Sequence, residues 1–137
     1  MRRATSSDTQ ALADFQAEVN SLTGSPDEHL RVHTLSLMIG SLQSMGPQDF
    51  TVVEDTASGE IVSTLNLISQ TWSYGGIEFG VGRVELVGTR PGYRRRGLVR
   101  AQMDAVHRWS ATRGERIQAI TGIPWYYRRF GYEMALE

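Results

Sequence analysis

The sequence predicts an α/β fold, a mixed layer fold with elements in the order β-α-α-β-β-β-α-β-α-β. Two kinds of pattern carry this prediction. Strand-forming residues run over 50–54, 60–72 and 83–89, between clusters of turn residues. Apolar residues recur at helical spacing over 7–21 and offer one buried face over 95–112. Because strands and helices are interleaved, we expect a sheet covered by helices.

Each element has its own signal along the chain. Ser6-Ser7-Asp8 can cap the first helix, and Gly24-Ser25-Pro26 ends it. The full set of predicted elements, in chain order, is a short strand at 2–5, helices over 7–21 and 27–39, strands over 50–54, 60–72 and 83–89, a helix over 95–112, a strand over 116–121, a short helix over 124–130 and a last strand over 132–136. The length fits one domain over residues 1–137, and an N-terminal fragment of a longer protein stays open.

Composition narrows the classes of function. Hydrophobic residues make up 40% and charged residues 21%, and the net charge is −1, so a chain that coats nucleic acid is not expected. There is no cysteine, which excludes thiolate nucleophiles, and all fourteen basic residues are Arg, which excludes Schiff-base lysines. No segment approaches the ~20 apolar residues of a membrane span. We therefore expect a cytoplasmic protein without a membrane or nucleic-acid partner.

The most informative segment is the turn that follows the strand over 83–89. Three arginines, Arg94, Arg95 and Arg96, and then Gly97 precede a helical pattern. The free N–H groups of a helix start bind anions, and glycine lets the anion approach. Three cations there oppose the helix dipole unless an anion lies beside them. The turn thus predicts a small phosphate-bearing ligand, although neither a Walker loop nor a Gly-x-Gly-x-x-Gly fingerprint is present.

This turn resembles the coenzyme A signature of the GCN5-related N-acetyltransferases (GNAT), Gln/Arg-x-x-Gly-x-Gly/Ala. Arg94, Gly97 and Val99 occupy its fixed places, and Val99 departs from the expected Gly or Ala. The Arg-Arg-Arg-Gly turn is similar to that of the enhanced-intracellular-survival branch. The resemblance implies a mostly antiparallel sheet splayed at the cofactor strand, helices on both faces, and acetyl-CoA as co-substrate. The implied cofactor-binding residues are Val87, Gly88, Thr89, Arg94, Arg95, Arg96, Gly97, Leu98, Val99 and Arg100.

A second motif, Tyr126-Tyr127-Arg128-Arg129-Phe130-Gly131-Tyr132, resembles the closing Phe-Tyr-x-x-x-Gly-Phe/Tyr segment of the same family. It places Tyr127 at the position of the family's tyrosine. Acyl transfer from a thioester needs a proton for the departing thiolate, and a phenol near the sulfur can supply it. Tyr127 is therefore the predicted general acid, with a place among the core aromatic residues as the alternative.

The general base is harder to place. Glu85 lies on the strand before the arginine turn, and period-two alternation predicts its side chain on the side of Val87 and Thr89. A solvent-facing Glu85 is the alternative. His29 and His33 share one helix face but lack a third ligand, so no metal is predicted.

The resemblance implies an N-acetyltransferase, and because the chain has no cysteine for an acyl-enzyme, we expect a primary amine to attack the thioester of acetyl-CoA directly. The acceptor is expected to be a small molecule or a peptide, and homo-oligomerisation stays open. An acyltransferase for longer acyl chains is an enzymatic alternative. A CoA-binding sensor or structural domain without catalysis is the alternative from another class, because neither motif contains a general base.

Overall fold

Within the described residues, five strands form one sheet whose spatial order equals their order in the chain. The computed structural model describes residues 1–41, 45–123 and 125–135. The strands are β1 (Arg2–Arg3), β2 (Phe50–Glu54), β3 (Ile61–Tyr74), β4 (Ile77–Thr89) and β5 (Ile117–Ile120). The first four pair antiparallel, whereas β5 runs parallel to β4. The predicted fold class is confirmed, and the predicted strand over 83–89 is the second half of the longer β4.

Helices cover both faces of the sheet. They are α1 (Thr9–Val19), α2 (Glu28–Met38) and α3 (Leu98–Thr112). On one face, the α1/α2 face, Phe15 and Leu37 pack against Phe50 and Val52. On the other, the α3 face, Met103 packs in a cluster with strand residues such as Leu65, Leu67 and Val84. Each face therefore buries its own apolar cluster against one helical layer.

A β-bulge interrupts β4 just before its carboxyl end. Asn66 pairs with Glu85 and Thr64 with Gly88, so that one residue of β3 lies opposite Leu86 and Val87 of β4. Leu86 has φ 51°, a left-handed conformation that side chains rarely adopt. The buried Gln16 amide of α1 donates to the Leu86 carbonyl over 2.9 Å and so stabilises the bulge.

The sheet opens where the bulge lies. The parallel pairing of β4 with β5 covers Val81 to Val84 on one strand and Ile117 to Ile120 on the other. The last five residues of β4 continue past the end of β5. In the described residues their β5-facing edge therefore has no strand partner, at the point where the resemblance implied a splay.

The C-terminal part differs from the prediction. The predicted helix over 124–130 is a 3-10 helix over Tyr126–Phe130, and residue 124 lies outside the described residues. The strand predicted over 132–136 is wrong for 132–135, which have no regular structure, and residue 136 lies outside the described residues. Gly131 adopts φ 93°, and the Tyr132 hydroxyl lies 2.9 Å from Nε2 of His107 on α3. The segment after the 3-10 helix therefore contacts α3 through Tyr132.

Candidate active site

A cleft of about 620 Å³ lies at the splayed end of β4. Nine of the ten residues predicted to bind a cofactor line it, and Arg96 lies outside the lining. The nine are Val87, Gly88, Thr89, Arg94, Arg95, Gly97, Leu98, Val99 and Arg100. Tyr127 and Phe130 line the same cleft from the C-terminal segment. The two sequence motifs therefore meet in one cavity, although 30 residues separate Gly97 from Tyr127.

The arginine turn is shaped to present backbone N–H groups. The helix begins at Leu98 rather than near residue 95 as predicted, so the three arginines precede it. Arg95 has φ 62° and Gly97, the N-terminal cap, has φ 74°. A Cβ on Gly97 would meet no atom within 4 Å. The glycine is thus needed for its backbone conformation, and it leaves the helix start open to an anion.

Contacts outside the turn hold it in place. The Tyr93 hydroxyl donates to Asp55 over 2.5 Å, which lowers the pKa of Asp55 and raises that of Tyr93. Arg90 forms ion pairs with Glu18 and Glu60 at 3.0 and 2.9 Å. The turn is therefore tied both to the β2–β3 hairpin and to α1. Sequence reasoning missed this role of Tyr93 and Asp55.

Arg94, Arg96 and Arg100 contact backbone carbonyls or an aromatic ring rather than carboxylates. Arg94 donates to the Thr89 carbonyl over 3.2 Å, and Arg96 donates to a carbonyl of its own turn over the same distance. The Arg100 guanidinium lies over the ring of Phe130 in the C-terminal segment, 5.0 Å from the ring centroid. All three side chains are exposed, and Arg94 and Arg100 line the cleft.

Tyr127 lies half-buried in an aromatic cluster. Its ring is edge-on to Tyr126, with centroids 4.9 Å apart, and to Tyr132, at 6.3 Å. Burial raises the pKa of the Tyr127 phenol, so the phenol keeps its proton at neutral pH. A Cβ on Gly122 would lie 2.8 Å from the Tyr127 ring, which means that only glycine fits beside it. This close contact was not predicted.

Glu85 lies on the opposite side of the sheet from the predicted one. It forms an ion pair with Arg83, and its carboxylate lies 4.0 Å from Nε2 of His33 on α2. Val87 packs into the α3-face cluster instead. The alternation prediction is wrong because the bulge at Leu86 adds a residue between them and reverses the sides.

A second cleft of about 540 Å³ opens beside the first. Both clefts are lined by Ile123 and Tyr127, so the phenol lies in the wall between them. Arg83, the partner of Glu85, lines the second cleft together with Trp72 and other largely apolar side chains. The two clefts thus approach Tyr127 from two directions.

Comparison with known proteins identifies the family. The family model described as an acetyltransferase (GNAT) domain matches residues 1–135. The chain belongs to the GNAT acetyltransferase family. A search of curated proteins finds no match to the sequence.

Solved GNAT structures share the fold at low sequence identity. Glucosamine-6-phosphate N-acetyltransferase from Arabidopsis thaliana is 15% identical with a TM-score of 0.72, covering 99% of this chain and 92% of that one. AAC(6')-Iy, solved with the bisubstrate analogue CoA-S-monomethyl-acetylneamine, is 16% identical with a TM-score of 0.69, covering 99% and 91%. Eis1 from Mycobacterium abscessus is 19% identical with a TM-score of 0.73, covering 96% of this chain and 31% of that one. These likenesses establish the fold, and the survival-type branch stays a prediction.

Metal ligands and membrane spans are both missing from the described part of the chain. In residues 1–41, 45–123 and 125–135, no group of three or more His, Asp or Glu side chains could hold a metal ion. No helix in the same ranges is long and apolar enough to cross a membrane.

Proposed function

We propose that this GNAT domain transfers an acetyl group from acetyl-CoA to a primary amine. The observation that carries the proposal is the single cleft in which the arginine turn, the open edge of β4 and Tyr127 meet. A turn that binds anions, an extended strand edge and a phenol are the groups that a phosphorylated, amide-containing thioester requires.

The residues present fit acetyl-CoA, whose thioester supplies an activated acetyl group. The N–H groups from about Arg95 to Arg100 would hold the pyrophosphate, with Arg95 and Arg100 adding charge. The backbone of Val87 and Thr89 would bind the pantetheine arm as an added strand. The end of the β4–β5 pairing at Val84 supports this, because it leaves the β5-facing edge of these residues without a strand partner among the described residues.

The chemistry would be a direct attack by the amine on the thioester. The new bond joins nitrogen to the acetyl carbon, and the carbon–sulfur bond breaks. Glu85 would take the amine proton, directly or through water, and Tyr127 would give its proton to the sulfur. Backbone N–H groups near Val87 would polarise the carbonyl. Since the chain has no cysteine, an acyl-enzyme on a thiolate is excluded.

The second cleft supports an acceptor that arrives from the side opposite the cofactor. It reaches Tyr127 through the shared wall, and Arg83 on its lining is the ion-pair partner of Glu85. An acceptor placed there would contact Tyr127 directly, and Glu85 would lie behind Arg83, its ion-pair partner on the cleft lining. We propose an amine carried by a small molecule or a peptide as the acceptor.

Steady-state release of CoA thiol tests the proposal. Purified protein is incubated with acetyl-CoA and spermidine, kanamycin A or a lysine-containing peptide, and thiol release is compared with acetyl-CoA alone. We expect release that depends on one of the amines, with the acetylated amine detected by mass spectrometry. Tight acetyl-CoA binding without turnover on any amine would favour a sensor, and no binding at all would refute the proposal.

A further inference from the structure

Asn66 on β3 is a buried amide whose hydrogen-bonding atoms make no bond. Its side chain has no exposed surface. In the part of the chain that the structure describes, its Nδ2 and Oδ1 are the buried side-chain polar atoms without a hydrogen-bond partner. An apolar side chain of the same branching would be more stable at such a position. Costs of this kind are characteristic of functional sites in otherwise consistent folds.

Asn66 lies directly opposite Glu85 in the sheet. The two residues form the last register pair of β3 and β4 before the bulge. Opposite residues on antiparallel strands share a face and bring their Cβ atoms to about 4.5–5.5 Å. The Asn66 amide can therefore reach the Glu85 carboxylate by a change of rotamer.

Glu85 already has two side-chain neighbours, one guanidinium and one imidazole. Arg83 forms an ion pair with it from the same strand, and His33 approaches it from α2. Arg83 contacts Oε1 of Glu85, and Oε2 lies 4.0 Å from the His33 ring. Because Arg83 also lines the second cleft, an acceptor that enters this cleft can draw the guanidinium away from Glu85, and another donor must then hold Oε1 in place.

We propose that Asn66 is a positioning residue that holds Glu85 when an acceptor amine is bound. In that arrangement Nδ2–H of Asn66 donates a hydrogen bond to one carboxylate oxygen in place of Arg83. The other oxygen takes the proton that leaves the amine, and Asn66 itself gains and loses none. This inference rests on the proposed function, in which Glu85 is the proton acceptor.

The test compares stability with turnover in Asn66→Leu. Leucine has the branching of asparagine without its polar atoms, so we expect the melting temperature to rise by a few degrees. We expect kcat to fall about tenfold or more, with the KM for acetyl-CoA unchanged. The amine in the assay is whichever of spermidine, kanamycin A and the lysine peptide is turned over fastest.

Thr51→Val is the matched control. Thr51 is also buried in the sheet, but its hydroxyl donates to Oε1 of Gln102 over 2.6 Å. Removing a satisfied group should lower the melting temperature and leave kcat at the wild-type value. The control thus separates the loss of a hydrogen-bonded buried group from the loss of a buried group that makes no hydrogen bond.

A double-mutant cycle with Glu85→Gln shows whether Asn66 acts through Glu85. We expect Asn66→Leu to have no further effect on kcat in the Glu85→Gln background. Three results would overturn only the role of Asn66 and leave the proposed function standing. They are a lower melting temperature for Asn66→Leu, a wild-type kcat for the same variant, and an equal loss of kcat on adding Asn66→Leu to the wild-type and Glu85→Gln backgrounds. Absence of turnover by the wild-type protein would instead overturn the proposed function, and this role with it.

Discussion

Replacing Gly122 by alanine should displace the Tyr127 phenol without disturbing the fold. The added Cβ would lie 2.8 Å from Cε2 of the Tyr127 ring. Carbon atoms in contact lie about 3.5–4.0 Å apart, so the ring would have to move by roughly 0.7–1.2 Å. A misplacement of about 1 Å at a reacting group can cost up to ~100-fold in rate, or about 2.7 kcal/mol. We therefore expect kcat to fall by ~10- to 100-fold.

The assay is steady-state thiol release at varied acetyl-CoA, with circular dichroism to check the fold. The KM for acetyl-CoA should change little, because Gly122 does not line the first cleft. Gly80→Ala is the matched control, since a Cβ there would lie at an ordinary 3.4 Å from Glu115. A wild-type kcat for Gly122→Ala, or an equal loss in Gly80→Ala, would refute the role assigned to Tyr127 packing.

Three further substitutions test the arginine turn, the Tyr127 hydroxyl and the Asp8–Arg2 ion pair. Gly97→Val should weaken acetyl-CoA binding by more than ~10-fold in calorimetry, with an unchanged circular dichroism spectrum, because φ 74° disfavours a branched side chain at the turn. Tyr127→Phe should lower kcat by ~10²-fold or more in the thiol assay and leave acetyl-CoA affinity intact, and an unaltered kcat would mean that another group is the acid. Asp8→Asn should reduce the free energy of unfolding at pH 7 by about 1 kcal/mol in denaturant melts, because Arg2 is 39% exposed and its ion pair is screened. Arg2 lowers the pKa of Asp8 to about 2, so this difference should shrink as the pH falls from about 4 to 2, and a difference that persists at pH 2 would contradict the ion pair.

The sequence predicted those features that depend on neighbouring residues in the chain rather than on tertiary contacts. Helical periodicity predicted α1 and α3, and the order of elements predicted helices on both faces of the sheet. The arginine turn could be found because Gly97 and its neighbours act through backbone conformation and charge, which residue types report directly. That Tyr127 would lie near the cofactor-binding turn was predicted from the family resemblance.

The bulge at Leu86 could not be predicted, because leucine carries no preference for φ 51°. That conformation depends on tertiary contacts such as the Gln16 amide on the Leu86 carbonyl. A strict period of two therefore assigned Glu85 to the wrong side. The buried Asn66, by contrast, had a signal in the sequence, since an asparagine within the buried run of β3 is unusual.

A crystal structure of the protein with acetyl-CoA would show directly whether the arginine turn, the β4 edge and Tyr127 surround the cofactor. We expect the pyrophosphate within hydrogen-bond distance of the N–H groups from Arg95 to Arg100, and the pantetheine along Val87 to Thr89. The thioester sulfur should then lie within reach of the Tyr127 hydroxyl. Acetyl-CoA bound outside this cleft, or with its thioester turned away from Tyr127, would contradict the account.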